Sequence, residues 1–175
     1  MKNIFNKMVL MALVAALVFA AFPMTSAFAQ GENELTNEKL EQVWARQLKA
    51  YEKIGKGFED TDGQIAKMQA RIDKAAENGK NVTALQAALD AFESALKSAK
   101  PKYDSISGVV NAHLGFDANG KVTDAEKAKS TVEEMRTKMQ ELKSAMGGTG
   151  KTLRDAFKAF RDANKPADTS TDQSS

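Results

Sequence analysis

Apolar and small residues return along most of this chain at alternating steps of three and four, the spacing that lays one stripe along the side of an α-helix. A first run reads Leu40, Trp44, Tyr51, Ile54, Phe58, Ile65, Met68, Ile72 and Ala75, with Gln47 and Thr61 filling two slots in the same phase. A second reads Val82, Leu85, Leu89, Phe92, Leu96, Ala99, Tyr103, Ile106, Val110 and His113. A third reads Ala125, Ala128, Val132, Met135, Met139, Leu142, Met146, Leu153, Ala156, Phe160 and Ala163, with Thr149 in step. Each run keeps one heptad phase from end to end, as helices packed along a seam do.

Between the runs lie Glu77-Asn78-Gly79-Lys80-Asn81 and Gly115-Phe116-Asp117-Ala118-Asn119-Gly120-Lys121, whose Asn and Gly accept the left-handed backbone that ends helices. Thr123-Asp124-Ala125-Glu126 reads as a capping box opening the third helix. The pattern predicts helices over 36–77, 82–114 and 123–163, rods about 50 to 60 Å long. Short connections make neighbours antiparallel, so the expected fold is all-α, an elongated antiparallel three-helix bundle with coiled-coil-like packing. Three places weaken it. Gly55, Gly57 and Gly63 crowd one window of the first run, and each costs a helix roughly 1 kcal/mol relative to Ala. Pro101 should kink the second helix level with about Phe58, giving one shared bend. A break at Gly147-Gly148-Thr149-Gly150, residues 147–150, would split the last helix and give a four-helix variant.

The two ends have a different character. Residues 1–29 join a cationic start to an apolar run from Met8 to Phe22 and end Ala27-Phe28-Ala29, the plan of a secretory signal peptide cleaved before Gln30. The apolar run is shorter than the ~20 residues that cross a bilayer. Residues 30–35 read as a polar lead-in and 164–175 as a disordered tail rich in Ser, Thr and Asp. The expected destination is export, to the periplasm or outside the cell.

Charge then loses its apparent bias. The chain carries 25 Lys+Arg against 23 Asp+Glu. Lys2 and Lys7 fall in the expected signal peptide, leaving 23 against 23 in the remainder. A balanced chain lacks the uncompensated cations that release counterions from phosphate, so no nucleic-acid partner is expected. The absence of cysteine excludes disulfides, thiol nucleophiles and cysteine-based metal sites.

Several segments imitate chemical motifs. Ala145-Met146-Gly147-Gly148-Thr149-Gly150-Lys151-Thr152 satisfies a relaxed phosphate-loop pattern, but residues 132–143 before it have helical, amphipathic spacing where that loop needs a buried strand. No nucleotide is expected there. Residues 115–126 place Asp117, Asn119, Gly120, Val122, Thr123 and Glu126 at EF-hand positions, with Gly115 where the first carboxylate belongs. Residues 58–69 repeat the pattern through Asp60, Asp62, Gly63 and Ile65, with Phe58 first and Gln69 last. An Asn-Gly turn with a capping box, and a Gly-weakened helix, account for the two. His113 with Met68, Met135, Met139 and Met146 invites a haem or copper reading. Counting along the helices puts His113 at the bundle end and the methionines well away from it, as core filler. Asn81-Val82-Thr83 is a formal glycosylation sequon at a position better suited to capping the second helix. No residues are assigned as catalytic, cofactor-binding or metal-ligating.

Across residues 143–165, Lys143, Lys151, Arg154, Lys158, Arg161 and Lys165 oppose only Asp155 and Asp162, with Leu153, Ala156, Phe157 and Phe160 alongside. This basic amphipathic segment could touch a membrane surface weakly, although its apolar positions also continue the core phase. Leu35-Thr36-Asn37-Glu38-Lys39 is similar to the Leu-Thr-x-x-Gln motif that opens helices in small ATP-independent periplasmic chaperones. The likeness covers five residues, with Lys39 in place of the Gln, and a Thr cap after Leu explains it equally, so no family is assigned. The reading is an exported, non-enzymatic helical protein working by protein–protein contact or self-association. The alternatives are an ATP-independent holdase and a calcium-responsive or membrane-surface protein.

Overall fold

The computed structural model describes residues 36–165. The expected signal peptide, the lead-in and the tail from residue 166 onward lie outside them. Five helical segments follow in order: α1 (Asn37–Glu59), α2 (Thr61–Glu77), α3 (Thr83–Ala112), α4 (Ala125–Met146) and α5 (Thr149–Ala163). Only Asp60 separates α1 from α2, and it keeps right-handed helical dihedrals. The two therefore form one interrupted helix, and the fold is an all-α pack of four helices. No strand occurs among the described residues. Their one β-type pairing is an isolated antiparallel bridge between Phe116 and Val122.

The first predicted helix, 36–77, begins as expected: the Thr36 hydroxyl accepts the Lys39 N–H at 3.4 Å and Leu40 closes the first turn. It does not run on to residue 77 uninterrupted. The Thr61 hydroxyl donates to the Gly57 carbonyl, the acceptor that the Thr61 amide would use in an unbroken helix. Such back-bonding competes with the ladder and bends helices, here in a window already weakened by Gly55, Gly57 and Gly63. Residues 58–69 are thus the end of one helix and the start of another. Opposite this point α3 passes through Pro101 without ending. Phe58 meets Tyr103 with ring centroids 5.1 Å apart, which confirms the expected level of the two weak points.

The antiparallel register holds across the interruption. Tyr51 stacks on Tyr103 at 4.7 Å, and Gln69 exchanges side-chain hydrogen bonds with Gln86 at 2.8 Å in both directions. An advance from 51 to 69 on the first rod is matched by a retreat from 103 to 86 on α3. Gly55 makes room for Tyr103 at this face: a Cβ there would run into the Tyr103 hydroxyl unless that side chain moved. Burial pushes that hydroxyl's pKa up.

Helix ends need three corrections. The second helix stops at Ala112, with His113 as a left-handed cap whose N–H donates to the Val109 carbonyl at 2.9 Å; histidine is among the few non-glycine residues that accept that conformation. The third begins one residue later than the capping box implied. Asp124, not Thr123, caps it by accepting the Lys127 N–H at 3.1 Å, while the Thr123 amide is tied back to the Gly115 carbonyl at 2.9 Å. The last helix is split, and the variant with a break at 147–150 is the one observed. Gly147 (φ 52°) and Gly148 (φ 77°) are both left-handed and separate α4 from α5.

Most predicted seam residues are buried, with Leu40, Trp44, Ile54, Ile72, Leu89, Ile106, Val132, Met135 and Leu142 at the centre. The N-cap position of α3 falls on Val82, which supplies no side-chain cap, and not on Asn81 or Thr83; the sequon residue Asn81, one residue before it, accepts the Thr83 N–H through its side-chain oxygen at 3.1 Å. α3 also buries Ala88, Ala95 and Val109, which lie off the predicted stripe. Its partners explain this: α4 packs along α3 most extensively, α5 next and α2 after them. A helix clasped from several sides buries a wider face than one seam.

Candidate functional site

The end of the bundle where α3 turns into α4 is built by residues far apart in sequence. Trp44 from α1 is 2% exposed and stacks on Phe116 of the connecting loop, ring centroids 5.0 Å apart and planes within 10°. Gly120 lets the loop cross above the indole: its φ is +76°, and a Cβ there would lie 3.5 Å from the Trp44 ring. Gly115 is more constrained still. At φ +83° its Cα faces the start of α4, and a Cβ would collide with the Ala128 amide nitrogen and the Asp124 carbonyl.

The loop itself is a tight, fully bonded turn. Asp117 Oδ1 accepts the N–H groups of Asn119 and Lys121, both at 2.8 Å. The Asp117 and Gly120 amides close the turn on Lys121 and Asp117 carbonyls at 2.8 and 2.9 Å. The backbone N–H of Lys121, helped by that of Asn119, holds the Asp117 carboxyl below its ordinary range. Glu41 reaches across from α1, accepting the Lys121 ammonium at 2.7 Å and the Val122 N–H at 3.1 Å. The Lys121 ammonium is the larger cause of its lowered pKa, and Glu41 in turn raises that of Lys121. Two further bonds lock α4 in place: Gln47 Nε2 to the Val132 carbonyl at 2.9 Å and the Thr131 hydroxyl to the Leu114 carbonyl at 2.8 Å.

Over this framework lies an open groove of about 700 Å³. Trp44, Ala45, Leu48 and Val110 give it an apolar floor and walls, and Glu38, Glu41, Asp117 and Lys121 a charged rim. His113 lines it too, with its Nδ1 2.9 Å from the Asn111 carbonyl. Next to His113 in the chain stands Leu114, 59% exposed, the one large hydrophobic residue so exposed among those described.

The segments that imitated chemical motifs fall elsewhere or serve the backbone. In 115–126 the Asp117 carboxylate is spent on the turn, Asp124 on the helix cap, and Gly115 offers no ligand. Among the described residues no three of His, Cys, Asp and Glu converge as a metal cage requires. His113 lines the groove with none of the four methionines beside it, and Met68, Met135, Met139 and Met146 are all in the core. Before the glycines at 147–150 runs α4, so the strand a phosphate loop needs is replaced by a helix. No described helix is long and apolar enough to cross a membrane.

Sequence reasoning missed the groove. Trp44 falls on a helix seam and Asp117-to-Lys121 in a turn, and no local spacing joins them. The one available signal was counting residues along antiparallel rods, which puts the start of the first helix beside the loop after the second. Comparison with known protein families, with curated proteins and with solved structures finds no match for this chain.

Proposed function

We propose that this is a non-enzymatic helical protein that works by protein–protein contact, and that the groove at the α1–α3 loop end is its contact surface. The observation that carries the reading is an apolar floor with charged groups around it. Leu48 and Val110 are only half-buried in the groove, Glu38, Glu41, Asp117 and Lys121 line it with them, and the exposed Leu114 follows the lining residue His113 in the chain. Apolar surface framed by polar groups is the usual anatomy of a protein-binding site. The floor is preorganised, since Trp44 is held by Phe116, Gly120 and the Glu41–Lys121 pair. A surface already rigid before binding avoids the ordering cost of contact. The cationic start and apolar run at residues 1–29 support an exported setting, periplasmic or extracellular.

Photo-crosslinking tests the proposal. A photoreactive residue at Ala118, on the groove wall, should give a discrete, saturable adduct in cells that Leu114→Asp abolishes. The same probe at Lys80, between α2 and α3, should give none. Equal adducts from both positions, or adducts indifferent to Leu114→Asp, would remove the groove as a contact site.

A further inference from the structure

We infer that the outer face of α5 is a docking surface for an anionic phospholipid bilayer, separate from the groove. The starting observation is where the charge lies. Residues 36–165 hold all 23 basic residues that follow position 29, but 19 of the 23 acidic ones, because Glu32, Glu34, Asp168 and Asp172 fall outside. The described body therefore carries a surplus of four positive charges. Three of those four lie between residues 151 and 165, where Lys151, Arg154, Lys158, Arg161 and Lys165 face Asp155 and Asp162 alone.

The five cations are also ordered. They recur at steps of three, four, three and four; the first four lie along one side of the helix over about 15 Å, and Lys165 follows two residues past its last residue, Ala163. Leu153, Ala156 and Phe160 repeat with the same period on another side, and they pack toward the core, with α3 as the helix's main neighbour. The stripe thus faces outward: Lys151, Lys158, Arg161 and Lys165 are exposed and Arg154 is half-exposed. Arg154 lays its Nε against the bundle with no hydrogen-bond partner among the described residues. The two acids sit along one border of the stripe and pair with three of its cations, Asp155 with Lys151, and Asp162 with Lys165 at 3.0 Å and with Arg161 at 3.6 Å. Phe157 sits on the opposite border, between the stripe and the core face, and is half-buried.

A straight line of cations on the outside of a packed helix meets a flat array of phosphates along its whole length at once. An aromatic residue on the border of such a line suits the headgroup level of a bilayer. A soluble polyanion fits less well, because residues 36–150 carry a surplus of only one positive charge and offer a winding chain no second track. The apolar face of α5 is already used against the bundle, so the contact is electrostatic adsorption and not insertion.

The test is co-sedimentation with phosphatidylcholine vesicles and with vesicles containing added phosphatidylglycerol, using protein in the form that cells produce. The expected result is binding to the anionic vesicles alone, weakening as salt is added. Each cation near an anionic surface contributes a factor of about five. The double variant Lys158→Glu with Arg161→Glu should therefore bind at least about tenfold more weakly. Lys49→Glu with Lys53→Glu, two exposed cations of α1, should change binding less than about twofold, since they lie off the stripe. Circular dichroism verifies that both variants keep their helix content. No binding by the unaltered protein, equal losses in the two double variants, or saturable binding to soluble polyphosphate without binding to anionic vesicles would each overturn the inference. Ala118 crosslinking by the Lys158→Glu, Arg161→Glu variant keeps the groove's role distinct from the stripe's.

Discussion

The two ends of this bundle are held by different means. At the loop end, a buried Trp–Phe stack is reinforced by hydrogen bonds linking α1, the loop and α4: Glu41 to Lys121 and Val122, Gln47 to Val132, Thr131 to Leu114. At the other end, α2 is joined to α3 by the reciprocal Gln69–Gln86 pair, each amide also donating to an Asp one turn on. α5 fully buries only Leu153. Burial is non-directional and lets helices slide, whereas crossed hydrogen bonds and a stacked ring pair fix position. The loop end is accordingly where a groove can keep a set shape, and the far end is where helices can detach singly.

The largest test of that contrast pairs a deep truncation at each end. Trp44→Ala should cost about 3–5 kcal/mol and lower the cooperative unfolding midpoint of the whole bundle. Leu153→Ala should cost about 2 kcal/mol, spent on releasing α5, with Trp44 fluorescence unchanged. Denaturant melts of Trp44→Ala followed by circular dichroism, and of Leu153→Ala followed by circular dichroism and by Trp44 emission, separate the two outcomes; a shift of both signals by Leu153→Ala would mean the ends are one cooperative unit.

A smaller effect comes from left-handed glycines. Gly148 has φ +77° and open space around its Cα, so Gly148→Ala should cost only the backbone term, about 1–2 kcal/mol. Gly115→Ala adds a collision with backbone at Ala128 and Asp124, which cannot rotate away, and should cost about 2–4 kcal/mol. Equal losses in chemical denaturation would show that α4 is not held against the loop as tightly as the geometry requires.

The smallest effect is that of acid. Asp117 is lowered chiefly by the Lys121 N–H, and Glu41 chiefly by the Lys121 ammonium. A carboxyl lowered in the folded state stabilises it fully above its unfolded pKa, near 4, and that stabilisation is lost as pH falls through the folded value. Trp44 emission should therefore hold steady from neutral pH to about 4 and change below it. Asp117→Ala should loosen the loop already at neutral pH. Trp44 emission that already shifts between pH 5 and 7 would contradict the assignment to these carboxylates.

Much of the fold was legible because helix seams are periodic. The phases through Leu40, Leu89 and Val132 identified the helical class, the central core and the weak glycines at 147–150. The weak window at Gly55, Gly57 and Gly63 was legible, but the position of the break at Asp60 was not. Thr61 falls in phase as a seam residue, and its hydroxyl's bond to the Gly57 carbonyl forms only in the folded helix. The shift of the α4 cap from Thr123 to Asp124 has a similar origin, with the Thr123 amide already committed to Gly115. Ala88, Ala95 and Val109 escaped because one sequence stripe does not reveal how many neighbours clasp a helix. The groove was hidden for the most general reason: Trp44, Val110 and Gly120 become neighbours only after the rods have paired.

Native-state hydrogen exchange, resolved along the chain, reads the unequal ends most directly. The predicted result is that α3, the start of α4 and the bonded amides of residues 115–124 exchange only with global unfolding, while α5 opens separately at lower free energy. If α5 amides were as protected as those of α3, or if the loop amides exchanged first, the rigid end and the releasable end would not exist as described.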